Sequence, residues 1–482
     1  MPLTPTVSRA IASVPTDLLI DGSRIAALDG ARFDVLDPSN GMALSSVADA
    51  GPDDARAALD AVVARQRGWA RATPNTRAEI LRRTYEILLD RTDELAEVIT
   101  REMGKPLSDA RAEVHYAAGF FRWFAEEAVR IRGTHAVAPD GRGQILTVRE
   151  PVGPCILITP WNFPLAMGAR KIAPAIAAGC TMILKPAPQT PLSSLALAAI
   201  LQEAGLPDGV LNVLTTTRAN DVVEPLLRSG RIRKLSFTGS TAVGRVLLAQ
   251  AASAVVRTSM ELGGNAPFIV FADADLDVAV EAALKAKMRN MGEACTATNR
   301  LYVHEDVAAE FTERLVARMR AMPVGDGSDA DVLVGPLIDA ASLAKVERLV
   351  ADAVEKGARV ATGGSAVRGP GFHYEPTVLT DIPGDAELLT TEIFGPVVPV
   401  ITFTDETAVV DAANATEWGL VGYVMTTDLD RAQRVSAALE VGMVGLNTGI
   451  VADIAAPFGG VKQSGIGREG GAVGIDEYLS YK

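Results

Sequence analysis

From Val152 onward the chain alternates short apolar runs with Ala- and Leu-rich helical stretches. The runs are CILIT (155–159), TMILK (181–185), GVLNVLT (209–215) and KLSFTG (234–239). Each helical stretch follows a turn marked by Pro, Gly or Asn, and this β-α-β-α rhythm implies a parallel, doubly wound α/β sheet. Ligands of such sheets bind beyond the carboxyl ends of the strands, so the turns after these runs are where chemistry is expected. A second strand-and-helix series starts at APFIVF (266–271) and runs to about Val444. Asp275 is placed to cap a helix with apolar positions Val280, Ala283, Leu284, Met288 and Met291. Upstream, Pro52 to about Arg132 has helical spacing, as in Ile80, Leu81, Ile87 and Leu88. The aromatic group Phe120, Phe121, Trp123 and Phe124 is expected to pack in a core or subunit interface rather than form a binding box. Residues 128–146 read as a strand pair around Pro139-Asp140-Gly141, detached in sequence from both sheets, as is the C-terminal tail.

Bulk properties exclude several classes. At 482 residues, two or three domains are expected. A net charge of −13 disfavours nonspecific binding to nucleic acid or an anionic membrane, although a local pair of arginines can still hold a small anion. Three cysteines cannot build a disulfide framework, and four scattered histidines offer no metal-binding cluster. Arg9 and Asp17 interrupt any apolar leader, and the longest apolar run, Ile172 to Leu184, contains Pro174 and Gly179 and is too short to span a bilayer. A reducing cytoplasm is the expected location.

Only Cys295 has a loop-like setting, Gly292-Glu293-Ala294-Cys295-Thr296, just past the expected helix. Cys155 lies inside one apolar run and Cys180 opens another, ordinary places for a small buried residue. A lone cysteine is more often inert than catalytic, so context must decide. Met260-Glu261-Leu262-Gly263-Gly264-Asn265 puts a carboxylate at a strand end before two glycines that allow close backbone approach. Thr159-Pro160-Trp161-Asn162-Phe163-Pro164 puts an amide between two stiffening prolines after the first strand. A thiol nucleophile, a carboxylate base and an amide donor are the parts that acyl-enzyme chemistry requires.

With these residues the sequence resembles the aldehyde dehydrogenases over nearly its whole length. The motifs TPWNFP (159–164), LKPAPQTP (184–191), FTGS (237–240), ELGGNAP (261–267), GEACTATNR (292–300), EIFGPV (392–397) and PFGGVKQSG (457–465) occur in that family's order. Glu261 and Cys295 keep its separation of thirty-four. LSFTGST, MELGGNAPFIVF and VGLNTGI look most like succinate-semialdehyde dehydrogenases. The resemblance implies an α/β fold of three parts. A Rossmann-type cofactor domain takes 1–127, 147–259 and 443–468, an α/β catalytic domain 260–442, and a small β oligomerisation element 128–146 and 469–482.

The resemblance also implies roles. Cys295 is the nucleophile, Asn162 and the Cys295 N–H form the oxyanion site, and Glu261 activates water. Thr159, Pro160, Trp161, Lys185, Pro188, Gly239, Ser240, Glu392 and Phe394 are the implied cofactor contacts. Among these, Lys185 and Glu392 take ribose hydroxyls, Phe394 lies against the nicotinamide, and Gly239-Ser240 takes the pyrophosphate. By itself GSTAVG is neither GxGxxG nor a P-loop and reads equally as a simple turn. Arg170 and Arg289 match arginines that grip a substrate carboxylate, although a single arginine more often pairs with a nearby acid. The expected substrate is succinic semialdehyde, with a glutarate-semialdehyde or broad-specificity enzyme as the alternative, and a non-catalytic binding or structural protein as the reading from another class. A homodimer or homotetramer is implied, with no metal.

Four positions depart from the family pattern. Pro188 stands where many NAD-preferring members carry a glutamate, which favours NADP while leaving NAD usable. Ala297 replaces the second cysteine of a redox disulfide found in some relatives. Ala452 replaces a serine that touches the carboxylate. Glu293 replaces a common glutamine; it either raises the thiol pKa or faces solvent, and the solvent-facing position is the one expected.

Overall fold

Helices α1 (Pro52–Trp69), α2 (Pro74–Asp90), α3 (Thr92–Met103) and α4 (Leu107–Ala128) fill the segment with helical periodicity. The apolar stripes of α2, α3 and α4 meet in one core that includes Leu81, Leu88, Phe120, Phe121 and Phe124, while Ala55, Ala58, Leu59 and Val62 of α1 pack in a second one. The aromatic group is therefore packing material. Trp123 reaches outward, its Nε1 donating to the Gly471 carbonyl at 3.0 Å. The computed structural model describes residues 8–482, so the first seven residues assigned to the cofactor domain lie outside the described residues.

The strand pair at 128–146 is a hairpin, β1 (Thr134–Val137) and β2 (Gln144–Thr147), closed by Gly141 at φ 71° and hydrogen-bonded to no other strand. The first α/β series then runs β3 (Cys155–Ile158), α5 (Pro164–Ala178), β4 (Met182–Lys185), α6 (Pro191–Glu203), β5 (Leu211–Val213), β6 (Lys234–Thr238), α7 (Thr241–Ala252) and β7 (Arg257–Glu261). These strands lie parallel in the order β5-β4-β3-β6-β7, with antiparallel additions at both edges. Every residue of β3, β4 and β6 is buried, as expected for strands covered on both faces. Every residue of α5 is buried as well, which explains the long apolar run without a membrane. Among the described residues no helix is long and apolar enough to cross a membrane.

The second domain contains β8 (Ala266–Val270), α8 (Leu276–Met288), β9 (Thr298–His304), α9 (Ala340–Glu355), β10 (Thr377–Thr380), β11 (Val397–Phe403), β12 (Val421–Met425) and β13 (Met443–Leu446). Its labelled strands are parallel in the order β10-β11-β9-β8-β12-β13. Asp275 caps α8 as expected, accepting from the N–H groups of Asp277 and Val278 at 3.0 and 3.2 Å.

Strand pairing and packing place three segments differently from the expected boundaries. Met260 and Glu261 pair with Phe237 and Thr238, so they complete the first sheet rather than open the second domain. Met443–Leu446 pair with β12 and belong to the second sheet, not to the cofactor domain. The tail also divides. Ala472–Tyr478 packs on α5 with Tyr478 in the first core, and only Leu479–Tyr481 pairs with Arg149–Pro151 beside the hairpin.

Candidate active site

The order of the first sheet reverses between β3 and β6, and the chains leaving these strands part to open a crevice at their carboxyl ends. Pro160, Trp161 and Asn162 occupy the turn after β3, and Gly239 and Ser240 the turn after β6. Glu261 ends β7 beside them. From the second domain come Arg289 and Cys295 after α8, and Glu392 and Phe394 before β11. All of these residues line one cavity of about 240 Å³. A chain separation of more than two hundred residues is thus closed at one point.

A backbone device delivers Cys295. Helix α8 stops at Met288, and Asn290, Met291 and Gly292 all adopt the left-handed conformation, with φ of 55°, 55° and 80°. Non-glycine residues there cost of order 1–3 kcal/mol each and persist only when surroundings fix them. The fixing contacts are visible. Asp109 accepts the Asn290 N–H at 2.9 Å, and Asn290 Nδ2 donates to the carbonyls of Asn162 (3.1 Å) and Glu293 (2.9 Å). Gly292 is required because a Cβ there would stand 2.3 Å from the Gly395 carbonyl oxygen. Gly264 is required from the other side, since its Cβ would stand 2.6 Å from the Cys295 carbonyl oxygen. The Gly-Gly pair after Glu261 therefore serves the close approach expected of it.

The cavity holds more acid than its burial favours in charged form. Burial pushes the Cys295 thiol up to about 12; Glu392 and Glu261 add to the rise, and Arg170 and Arg289 oppose it. Cys155 and Cys180 are wholly buried, Cys295 only half. Burial also holds the Glu261 carboxyl well above the usual carboxylate range, and Glu469 reinforces this. Neither oxygen of Glu261 has a hydrogen-bond partner among the described residues. Glu469 keeps the charge, because Lys171 and Arg170 both pair with it, the latter at 2.6 Å. Glu392 accepts the Gly264 N–H at 3.2 Å and is pushed up by burial to about 7.

The two arginines differ. Arg170 pairs with Glu469, lies 4.3 Å over the Phe458 ring, and still lines the cavity, so the acid-pairing alternative holds for it alongside the pocket position. Arg289 has no ion-pair partner among the described residues and lies 5.0 Å over the Phe163 ring. Ala452 sits on the same wall.

Of the implied cofactor contacts, Thr159, Lys185 and Pro188 stand outside the cavity lining, at the ends of β3 and β4. Lys185 is buried, and desolvation alone lowers its ammonium to about 8, with no acid offsetting it. The hydroxyls of Thr159 and Thr238 are buried without partners. Unspent donors at a switch point, next to the N-terminus of α7, fit a dinucleotide's hydroxyl and phosphate oxygens. Phe394 is held at φ 54°, a strained value for a bulky residue, with its ring edge-on to Trp161 at 5.3 Å between centroids.

Glu293 corrects the sequence expectation. It is fully buried, not solvent-facing: its Oε1 accepts the Ile338 N–H at 3.2 Å, and burial holds its carboxyl far above the usual range. Tyr116, Phe163, Lys345, Phe458 and Glu469 were missed as site residues. Phe163 and Phe458 lie inside the quoted motifs and carried a signal; Tyr116 and Lys345 sit on ordinary helices and carried none.

The sequence profile described as the aldehyde dehydrogenase family matches residues 26–482. A succinate-semialdehyde dehydrogenase of Paenarthrobacter nicotinovorans is 56% identical over 91% of this chain and 97% of its own. An NADP(+) succinate-semialdehyde dehydrogenase of Escherichia coli is 48% identical over 96% of both. A glutarate-semialdehyde dehydrogenase of Pseudomonas aeruginosa is 46% identical over 96% of both. The crystal structure of a Burkholderia pseudomallei succinate-semialdehyde dehydrogenase superposes with a TM-score of 0.96 at 46% identity, covering 99% of both chains.

A thiol raised this far predicts steep pH dependence in the unliganded protein. Alkylation of Cys295 by iodoacetamide should rise about tenfold per pH unit between roughly pH 7 and 9.5, because only the thiolate reacts. The check is peptide mass spectrometry against time. A rate already level by about pH 8 would show an ordinary or lowered thiol.

Proposed function

Since the chain belongs to the aldehyde dehydrogenase family, we propose that it oxidises succinic semialdehyde to succinate with NADP, NAD being the slower cofactor. The observation that carries this reading is one cavity shared by a half-buried thiol, an unpaired buried carboxyl, an amide and an arginine without an acid partner. The Cys295 sulfur attacks the aldehyde carbon as its proton passes to solvent water. The new alkoxide is held by the Cys295 N–H and the Asn162 amide, which spends only one of its N–H groups, on the Glu293 carbonyl at 2.9 Å. One such donor lowers the barrier by about 2.7–4 kcal/mol. When bound, the nicotinamide supplies the hydride acceptor, which leaves a thioester on Cys295. Glu261 then takes a proton from water as it attacks the thioester carbon, and the Cys295 thiolate leaves. Its raised pKa makes it a stronger base toward water than an ordinary carboxylate. No histidine lines the cavity, which disfavours a phosphorylating enzyme that pairs its cysteine with one.

Arg289 selects the substrate. Its planar fork donates two parallel hydrogen bonds to a carboxylate. Arg170, already balanced by Glu469, supplies a second and weaker positive field. Ala452 offers no hydroxyl, so affinity drops by the roughly 1.5–3 kcal/mol of one charged hydrogen bond while the substrate class stands. Pro188 leaves room for a 2′-phosphate without a carboxylate to repel it.

Initial rates test this. Succinic semialdehyde should exceed glutaric semialdehyde, and both should exceed butanal, with NADP preferred over NAD. Arg289→Ala should lose most of the preference for the acids, and Pro188→Glu should move the cofactor preference toward NAD. Equal kcat/KM for succinic semialdehyde and butanal in wild type would overturn the substrate assignment.

The hairpin supports a homodimer or homotetramer. Val137 and Leu146 are 61% and 69% exposed there, on strands without an outer partner, and an exposed apolar patch of this kind marks an association surface. Leu146→Glu should shift sedimentation toward the monomer, and an unshifted profile would remove the hairpin from the interface. A cytoplasmic location belongs to the same proposal, and cell fractionation checks it.

A further inference from the structure

Behind Asn162, away from the cavity, lie two buried charges that the reaction itself does not use. Lys105, in the loop between α3 and α4, and Glu113, on α4, are wholly buried and paired at 2.6 Å. Each atom of the pair is committed. Lys105 Nζ also donates to the Asn162 carbonyl at 2.8 Å and stands 4.0 Å from the centre of the Phe163 ring. The other oxygen of Glu113 accepts the N–H groups of Leu165 and Ala166, the first turn of α5, at 2.9 and 3.1 Å.

The two side chains therefore grip the chain on both sides of Phe163. Asn290 Nδ2 donates to the same Asn162 carbonyl, and the Asn162 side chain reaches the Glu293 carbonyl. The Asn162 carbonyl and one of its amide N–H groups are thus fixed, and the second amide N–H of this cavity-lining residue is uncommitted among the described residues. Burying an ion pair is a poor way to gain stability, because apolar residues of similar volume often do as well or better. A pair kept here is better explained by the geometry it imposes.

We propose that Lys105 and Glu113 are positioning residues that hold the Asn162 amide where the alkoxide forms. The inference rests on the oxyanion role given to Asn162 above. It extends the site to two residues that touch neither substrate nor cofactor.

The experiment is a double-mutant cycle on the rate of the first NADPH burst with succinic semialdehyde. One arm is Lys105→Met combined with Glu113→Gln, which leaves no unpaired charge inside; the other is Asn162→Ala. Melting curves and NADPH binding confirm that each protein is folded. In wild type the pair substitution should slow the burst about 10- to 100-fold, the penalty of a misplaced group. In the Asn162→Ala background it should change the burst by no more than about twofold, because the group it acts through is gone. An equal slowing in both backgrounds would overturn the proposal, showing a merely structural pair. A burst insensitive to the pair substitution in wild type would overturn it as well. If Asn162→Ala alone leaves the burst unchanged, the oxyanion reading fails first and takes this inference with it. Should the pair substitution not fold, Glu113→Gln alone retains an acceptor for the α5 N–H groups and goes through the same cycle.

Discussion

One hydrogen bond joins the two domains at their most consequential point, from Asn162 Nδ2 to the Glu293 carbonyl at 2.9 Å. Its net worth in stability is only about 1 kcal/mol. Its value is positional, because it couples the turn after β3 to the loop that carries Cys295. The two sheets have separate main cores, and the same segments are brought together as well by Asn290 Nδ2, which donates to the Asn162 carbonyl, and by Trp161, which packs against the second core. The strained turn at Asn290–Gly292, the glycines at 264 and 292 and the Asp109 contact all serve to let the two backbones approach that closely.

Electrostatics follow from the same closeness. Glu261, Glu293, Glu392 and Glu469 are gathered in and around a small, poorly hydrated volume, and all four cannot be ionised at low cost. Glu469 takes the charge because Lys171 and Arg170 face it, and the others are pushed upward. The result is a division of labour: one fixed anion, Glu469, that anchors Arg170, and one carboxyl, Glu261, without a hydrogen-bond partner among the described residues and held above the usual carboxylate range. The same burial, with Glu392 and Glu261 adding to it, raises the Cys295 thiol to about 12.

Much of this was legible in the sequence because it rests on local signals. The strand runs from Cys155 to Thr238 were legible because fully buried parallel strands are apolar throughout. The turns after them were legible because doubly wound sheets put ligands there. Asp275 as a cap and Gly263-Gly264 as a close approach follow from chemistry within a few residues. What stayed hidden depends on pairings between distant segments. Arg170 meets Glu469 almost three hundred residues on, and Lys105 meets the Asn162 carbonyl across α4, the hairpin and β3. Glu293 was expected outside because a carboxylate normally is; its burial depends on the Ile338 N–H, which no local pattern announces. The boundaries at Met260 and Met443 moved because strand membership is decided by the partner ladder, not by the segment's own sequence.

The central claim is that catalysis passes through a covalent acyl group on Cys295, cleared by Glu261. The most direct measurement is acid quench of a Glu261→Gln reaction with succinic semialdehyde and NADP, followed by peptide mass spectrometry. The account predicts a succinyl thioester on the peptide containing Cys295, accumulating in step with the NADPH burst and absent without cofactor. NADPH formed at wild-type rate with no acyl group on that peptide, or with one on another residue, would contradict it.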